Sequence, residues 1–130
     1  MLIMEKVATL ILNRNLPYLT DNLYQLIKRN DGDITDIFVI EAGSDKEKIS
    51  KYVTWYEDSD EVKKHGLRFN RGMNYGLLKL WQNGDFKKYD GFFLLTNDTK
   101  LEDIENIKPL IKIFSSHDKL AILSPCGKSW

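Results

Sequence analysis

The stretch VATLIL, residues Val7 to Leu12, is almost wholly apolar and rich in branched side chains. A short run of this kind, without polar alternation, is typical of a strand that is buried on both faces, as in parallel sheets. Two further runs have the same character, IFVI over Ile37 to Ile40 and GFFLLT over Gly91 to Thr96. These runs predict a sheet whose strands are covered on both sides.

Two helices are predicted from apolar residues that recur three and four positions apart. The first ends at the stop signal Asn30-Asp31-Gly32 and carries Leu19, Leu23, Leu26 and Ile27. The second spans Asn70 to Trp81, and its predicted buried face consists of Met73, Leu77, Leu80 and Trp81. Strands that alternate with helices favour a mostly parallel sheet with right-handed crossovers. We therefore expect an α/β fold with three layers, α/β/α.

Weaker signals complete the predicted order of elements. A short helix is expected over Lys46 to Tyr52, and a third strand over Val53 to Tyr56. Glu57 to Gly66 is expected to be a loop, and Leu120 to Leu123 a last strand. Ile104 and Ile107 suggest a helical turn. Pro109 fits only the first turn of a helix, so it should begin a further helical piece.

Composition narrows the class of protein. A chain of 130 residues with 42% hydrophobic content fits one domain with its own core, so we expect a single domain over residues 1–130. Lys plus Arg and Asp plus Glu both number 19, and this balance gives no electrostatic reason to expect nucleic acid as a partner. The one cysteine fits a reducing compartment. No apolar run approaches the roughly 18–20 residues that span a bilayer, so we expect a cytoplasmic protein.

Polar clusters follow three of the predicted strands directly. They are Asn13-Arg14, Glu41 to Asp45 and Asn97 to Thr99. In open parallel sheets, ligands bind in the crevice beyond the carboxyl ends of the strands. The three clusters are therefore expected to line one rim of the sheet and to form a ligand site there.

Asp98 is the strongest candidate metal ligand. A carboxylate at the end of a buried strand can bind Mg²⁺ or Mn²⁺ through oxygen. Such a metal can bridge the oxygens of a diphosphate and stabilise its departure as a leaving group. Asn-Asp-Thr is also common turn chemistry. On the residues alone, both a metal ligand and a turn cap stay open for Asp98.

Glu41, Gly43 and Ser44 offer a second set of ligand groups. The glycine backbone and the serine hydroxyl can approach a ligand, while the acid can accept from a ribose hydroxyl or a base. The same stretch also fits a plain strand-to-helix turn with Ser44 or Asp45 as the N-cap. Arg71 can meet phosphates or belong to a solvated helix face, and Asn74 can hold a loop over the ligand.

Four short motifs follow one another along the chain: Asn13-Arg14, Val39 to Ser44, Gly66 to Leu77 and Leu95 to Thr99. Their order resembles that in the inverting glycosyltransferases of GT-A fold, a family 2-like group that includes bacterial rhamnosyltransferases. Asn13-Arg14 matches the end of the motif on that family's first strand, and VIEAGS, Val39 to Ser44, is similar to the motif on its second strand. The stretch from Gly66 to Leu77 resembles the family's glycine-rich segment leading into Asn-x-Gly-Leu. LTNDT, Leu95 to Thr99, looks like a relaxed form of its metal-binding Asp-x-Asp region.

This resemblance implies the Rossmann-like, nucleotide-sugar-binding half of an enzyme. It would transfer a sugar, of the hexosyl type, from a nucleotide-diphosphate sugar to a saccharide or lipid-linked saccharide with Mg²⁺ or Mn²⁺. Asn13 and Arg14 would lie by the base pocket, Glu41 by the base or ribose, Asn74 on the donor side, and Asp98 on the metal or diphosphate. Family members carry an acceptor-binding part and a general base beyond these motifs. We expect both to lie outside the 130 residues and assign no catalytic residue.

Departures from the family pattern support an alternative function, a non-catalytic module that binds a nucleotide or a protein partner. Leu12 stands where the family usually has an aromatic residue, and Ala42 stands where some members have a second acid. Thr96 replaces the first acid of Asp-x-Asp. A third interpretation is a signalling domain of the receiver type. It requires an acidic pocket after the first strand, which Asn13-Arg14-Asn15 does not provide.

Overall fold

The computed structural model describes residues 4–124, and four strands within them form one sheet. The strands are β1 (Val7–Asn13), β2 (Thr35–Ala42), β3 (Val53–Glu57) and β4 (Gly91–Thr96). All neighbouring strands are parallel, in the order β3-β2-β1-β4. The predicted parallel sheet is confirmed. The strand that decided the prediction, β1, lies between β2 and β4 and is buried along its whole length.

Helices cover both faces of this sheet. They are α1 (Pro17–Asp31), α2 (Asp60–His65), α3 (Phe69–Gln82) and α4 (Ile107–Ser115). Leu23 of α1 and Ile107 of α4 pack with Ile11 on one face, while Met73 of α3 packs with Leu10 on the other. The arrangement is a three-layer α/β/α sandwich of Rossmann-like form. Among residues 4–124, no helix has both the length and the apolar character needed to cross a bilayer.

The strand order contains a topological switch point. The chain moves from β1 to β2 and β3 on one side, then returns to place β4 on the other side of β1. In open α/β sheets the crevice at such a point, beyond the carboxyl ends of the strands, is where ligands bind. Here the crevice lies between the ends of β1 and β4.

Two glycines allow α3 to lie close to the sheet. A Cβ on Gly76 would come within 2.5 Å of Ile40 Cδ1 and 2.8 Å of Leu10 Cδ2. A Cβ on Gly72 would come within 2.5 Å of Leu12 Cδ1. Helix α3 therefore approaches β1 and β2 more closely than a helix with alanine at these positions can.

The segment from Glu57 to Gly66, expected to be a loop, contains α2. Ser59 caps the helix by accepting from the backbone N–H of Val62 at 3.4 Å, and Val62 is the buried residue of this short helix. Asp60 and Glu61 lie in the first turn, where their negative charges interact favourably with the positive end of the helix dipole. The high charge of the segment indicated a loop, but one buried valine and a serine cap are enough for a helix of six residues that packs on the protein.

Two other local predictions are wrong. The expected helix over Lys46 to Tyr52 is only a 3-10 turn, Lys46–Lys48, because Ile49 is extended and the N–H of Ser50 donates to a buried side chain instead. The expected strand is also absent: Leu120 to Leu123 has no regular structure, and Ile122 is 85% exposed. An apolar run forms a strand only where a neighbouring backbone can pair with it.

The helical predictions are mostly confirmed. Helices α1 and α3 cover the predicted segments, and Pro109 lies in the first turn of α4. The turn expected at Ile104 is not helical, since α4 begins at Ile107. Trp81, expected on the buried face of α3, is 62% exposed and contacts Phe86 edge-on. Adjacent helical residues point about 100° apart; here Leu80 is fully buried against the sheet and Trp81 lies at the solvent side of that face.

Candidate functional site

The three predicted polar clusters meet at one rim of the sheet. In the parallel register Asn13 is opposite Glu41, and Leu12 is opposite Thr96. The ends of β1, β2 and β4 therefore lie side by side, as the sequence predicted. Asn97 donates its side-chain N–H to Asn13 Oδ1 at 3.0 Å, and this contact joins the end of β1 to the turn after β4.

A buried hydrogen-bond network holds this rim together. Asn13 and Glu41 are both fully buried, and Asn13 Nδ2 donates to Glu41 Oε1 at 2.9 Å and to Oε2 at 3.0 Å. The carboxylate also accepts from the Ser44 hydroxyl and from the backbone N–H of Ser50. Thr20, from α1, donates to Asn13 Oδ1 at 2.8 Å. Protein donors thus occupy both oxygens of Glu41, with no solvent-accessible surface left on the side chain.

The position of Glu41 has a chemical consequence. A buried carboxylate is tolerated when hydrogen bonds replace its hydration, and here the donors come from β1 and from the loop after β2. In this arrangement Glu41 fastens the loop to the sheet and presents no oxygen to the crevice. The predicted contact of Glu41 with a base or ribose stays a prediction, and it requires this network to open.

Gly43 and Ser44 shape the loop after β2. Gly43 has φ +75°, and a Cβ there would lie 2.3 Å from the carbonyl oxygen of Val62. Only glycine combines this backbone conformation with such a close approach. The Ser44 hydroxyl accepts from the N–H of Asn15 at 3.1 Å, and its carbonyl accepts from the Tyr56 hydroxyl at 2.9 Å. The loop after β2 is therefore joined to the loop after β1.

Arg14 lies half-buried between this rim and α2. Its Nη2 donates to the carbonyls of Lys63 and Lys64, each at 3.4 Å, at the carboxyl end of α2. A Cβ on Gly66 would lie 2.1 Å from Arg14 Nη1, so the guanidinium packs directly on that glycine. A cation at this position satisfies free helix carbonyls. Arg14 reaches the helix through long, weak hydrogen bonds, and a phosphate would compete with them effectively.

Asp98 is exposed in the turn that follows β4. Its Oδ1 accepts from the Thr96 hydroxyl at 2.6 Å, and the turn closes with a hydrogen bond from Thr99 N to the Thr96 carbonyl at 3.2 Å. The side chain thus has the turn contact that was one of its two interpretations. Among residues 4–124, no group of three or more His, Cys, Asp or Glu side chains is placed to hold a metal.

Arg71 and Asn74 are on the exposed side of α3. Arg71 Nη1 lies 3.8 Å from Glu61 Oε1, and both side chains are about three-quarters exposed, 74% and 76%. Such a pair contributes little to stability. Arg71 also borders a depression of about 450 Å³ that is lined by Glu61, His65, Gly66, Arg68 and Arg71. The structure brings Arg71 toward the Gly66–Arg14 contact but leaves Asn74 one turn further along the helix.

Sequence reasoning gave no role to three residues of the network. Asn97, Thr20 and Ser50 each contact the Asn13–Glu41 pair, yet only Asn97 was in a quoted motif. A polar residue directly after a buried strand was a usable signal for Asn97. Thr20 and Ser50 carried none, because their partners lie 7 and 9 positions away along the chain.

The chain was compared with known proteins, and no protein-family model, no curated protein and no solved structure matches it.

Proposed function

We propose that this chain is the donor-binding portion of a glycosyltransferase. It would bind a nucleotide-diphosphate sugar together with Mg²⁺ or Mn²⁺, for transfer of a hexosyl-type sugar to a saccharide or lipid-linked saccharide. One observation carries the proposal: the parallel order β3-β2-β1-β4 places Asn13-Arg14 and Asn97-Asp98 at the two sides of a topological switch point. Nucleotides bind at such points in sheets of this topology.

Positive charge next to the switch point supports a phosphate-containing ligand. Arg14 packs on Gly66, and Gly66 lines the same depression as Arg68 and Arg71. Guanidinium groups bind phosphate oxygens in pairs. Helix α3 begins at Phe69, next to Arg68 and close to Arg71, and its first backbone N–H groups add a partial positive charge.

The residues present also fit a divalent metal bound with its nucleotide. Mg²⁺ commonly keeps several waters and is held by one or two carboxylates plus substrate phosphates. Asp98 is one exposed carboxylate at the switch point, and no donor from residues 4–124 occupies its Oδ2. When bound, the metal would neutralise charge on the diphosphate.

Calorimetric titration tests the proposal. The chain would be titrated with UDP, dTDP, GDP and ADP, each with and without Mn²⁺. We expect saturable binding of one nucleotide that strengthens with Mn²⁺. Asp98→Ala should abolish the increase in nucleotide affinity that Mn²⁺ causes and leave binding without Mn²⁺ unchanged. Arg71→Ala should weaken nucleotide binding both with and without Mn²⁺. Asp33→Ala, an exposed carboxylate before β2, is the matched control and should change neither. Absence of binding to a folded chain would reject the donor site.

A second candidate function is a non-catalytic nucleotide-binding module. The observation that favours it is the complete burial of Glu41, whose oxygens are occupied by protein donors. Because the acceptor-binding part and the general base are expected outside these residues, binding separates the two functions better than turnover does. A nucleotide-diphosphate sugar and the matching nucleotide diphosphate would each be titrated into the chain with Mn²⁺. Tighter binding of the nucleotide-diphosphate sugar supports the donor-binding portion of a transferase, whereas equal affinity for the two ligands supports the module.

A further inference from the structure

Asn83 and Gly84 form the one Asn-Gly pair of the sequence. In such a pair the backbone nitrogen of the glycine can reach the side-chain carbonyl carbon of the asparagine, because glycine has no Cβ to hinder the approach. Both residues are exposed, and a Cβ on Gly84 would meet no atom within 4 Å. Among the described residues, the Asn83 amide has no hydrogen-bond partner, while its backbone N–H donates to Lys79.

The two Asp-Gly pairs of the chain are held differently. The Asp31 carboxylate is fully buried and accepts from the backbone N–H groups of Asn106 and Ile107 at 2.9 and 3.3 Å. Asp90 Oδ2 accepts from the N–H groups of Glu5 and Lys6 at 2.8 and 3.1 Å. Cyclisation requires the first side chain of the pair to rotate toward the glycine nitrogen. The fold restrains that side chain at Asp31 and Asp90 and leaves it free to rotate at Asn83.

We propose that Asn83 is a site of spontaneous deamidation in the folded protein. The Gly84 nitrogen forms a bond to Asn83 Cγ and gives its proton to solvent, and the Cγ–Nδ2 bond breaks as ammonia leaves. The product is a five-membered succinimide. Water then opens the ring at either carbonyl and leaves aspartate or isoaspartate at position 83. One water is consumed and one ammonia is released, with no oxidation or reduction.

The end of α3 controls access to this reaction. Gly84 has φ +76°, its N–H donates to the Trp81 carbonyl at 3.1 Å, and Asp85 N donates to the Leu80 carbonyl at 2.9 Å. These bonds form a glycine-terminated helix end. Attack requires the Gly84 N–H to leave Trp81, which is an opening of the last helical turn. Such ends open at low free energy, well before the core unfolds.

The product carries a cost for the helix. A carboxylate at position 83 adds negative charge at the carboxyl end of α3, where the helix dipole is already negative. The same turn carries Trp81, whose ring contacts Phe86 at 5.6 Å between centroids. Deamidation should therefore increase fraying of the last turn and loosen this contact.

Peptide mass mapping of the aged full chain tests the proposal. In mildly alkaline buffer, conversion at Asn83 should exceed that at Asn70 and Asn74, on the same helix, by about tenfold or more, because their backbones lie within the helix. The variant Asp90→Asn supplies a second Asn-Gly pair whose acceptor oxygen is held by Glu5 and Lys6. Position 90 should convert more slowly than Asn83 in the folded chain and equally fast in denaturant. Asn83→Gln is the control for peptide assignment.

Two outcomes would overturn the proposal. One is conversion at Asn83 no faster than at Asn74 in the folded wild-type chain, a comparison that does not depend on any variant folding. The other is conversion of position 90 in folded Asp90→Asn as fast as that of Asn83. That result would mean that the local hydrogen bonds do not govern the reaction.

Discussion

Glu41 and Asp31 are two buried carboxylates at opposite ends of the sheet, and they are stabilised in different ways. Glu41, at the carboxyl ends of the strands, accepts from the side chains of Asn13 and Ser44 and from one backbone N–H. Asp31 ends α1 close to the start of β2, and it accepts only from backbone N–H groups in the first turn of α4. Neither forms a salt bridge within residues 4–124.

The two ends of the sheet therefore differ in how sensitive they are to substitution. Side-chain donors are lost by substitution, so the Glu41 network depends on the identity of several residues. Backbone donors remain with any residue except proline, so among the side chains the contact depends on that of Asp31. The candidate site is thus built on the arrangement that is more sensitive to sequence, and the opposite end on a helix cap that tolerates variation around it.

The largest effect is expected for Glu41→Gln. The substitution keeps the shape but replaces one of the two acceptor oxygens with an NH₂ group. In either orientation this group faces the Asn13 Nδ2 donor, together with the Ser50 N–H at the Oε1 position or the Ser44 hydroxyl at the Oε2 position, so buried donors lose an acceptor. We expect a loss of about 3 kcal/mol in the free energy of unfolding, measured by urea denaturation. Glu47→Gln, exposed in the 3-10 turn, is the matched control and should have no effect. Equal stability of both variants would show that the network does not stabilise the rim.

Asp31→Ala should have a smaller effect. It removes the carboxylate that caps α4, for a loss of about 2 kcal/mol, at the upper end for helix caps. Asp31→Asn keeps one acceptor oxygen and should recover part of that loss. Hydrogen exchange of the Asn106, Ile107 and Lys108 amides should speed up in Asp31→Ala. A loss as large as that of Glu41→Gln would contradict the distinction between the two carboxylates.

Asn97→Ala should have a still smaller effect within the same rim. It removes one of the donors to Asn13 Oδ1, which still accepts from Thr20 at 2.8 Å. We expect a loss of about 1 kcal/mol in stability, together with weaker nucleotide binding if β4 forms one wall of the crevice. Asn106→Ala, which removes only local contacts before α4, is the control for binding and should leave it unchanged.

The smallest effect concerns pH at the amino ends of the strands. Burial opposes ionisation of Asp36, but hydrogen bonds from Tyr89 and Lys6 outweigh it and lower the pKa of Asp36 below its ordinary value of 3.8. A lowered pKa gives stability that is present above 3.8 and is lost as pH falls through the folded value. In Tyr89→Phe, the fall in melting temperature between neutral pH and pH 3 should be smaller than in the wild-type chain. The change should be small, because Asp36 is 47% exposed.

The elements themselves were largely readable from the sequence. Strands buried on both faces were predicted from VATLIL and GFFLLT, since a run without polar residues admits few other structures. Helix α2 was missed because one buried valine leaves no periodic signal. The prediction of a strand over Leu120 to Leu123 was wrong, because an apolar run does not show whether a neighbouring strand is available to pair with it.

The candidate site was readable in its location but not in its contacts. That polar clusters after parallel strands share one rim follows from the topology alone, and Asn13, Glu41 and Asn97 meet there. Whether Glu41 faces a ligand or the interior was undetermined in the sequence. The answer depends on Ser44 and Ser50, which reach the carboxylate only when the loop after β2 folds back over the sheet.

The fold class and the edge of the sheet where polar groups gather could be predicted from the amino-acid sequence, because hydrophobic runs and strand ends are local properties of the chain. The burial of Glu41, the contact of Arg14 with α2 and the capping of α4 by Asp31 are visible only in the folded protein. The contacts of Asn13 with Glu41, of Arg14 with Lys63 and of Asp31 with Asn106 join residues 28, 49 and 75 positions apart. Their formation depends on packing and on the satisfaction of buried polar groups, which no local pattern records.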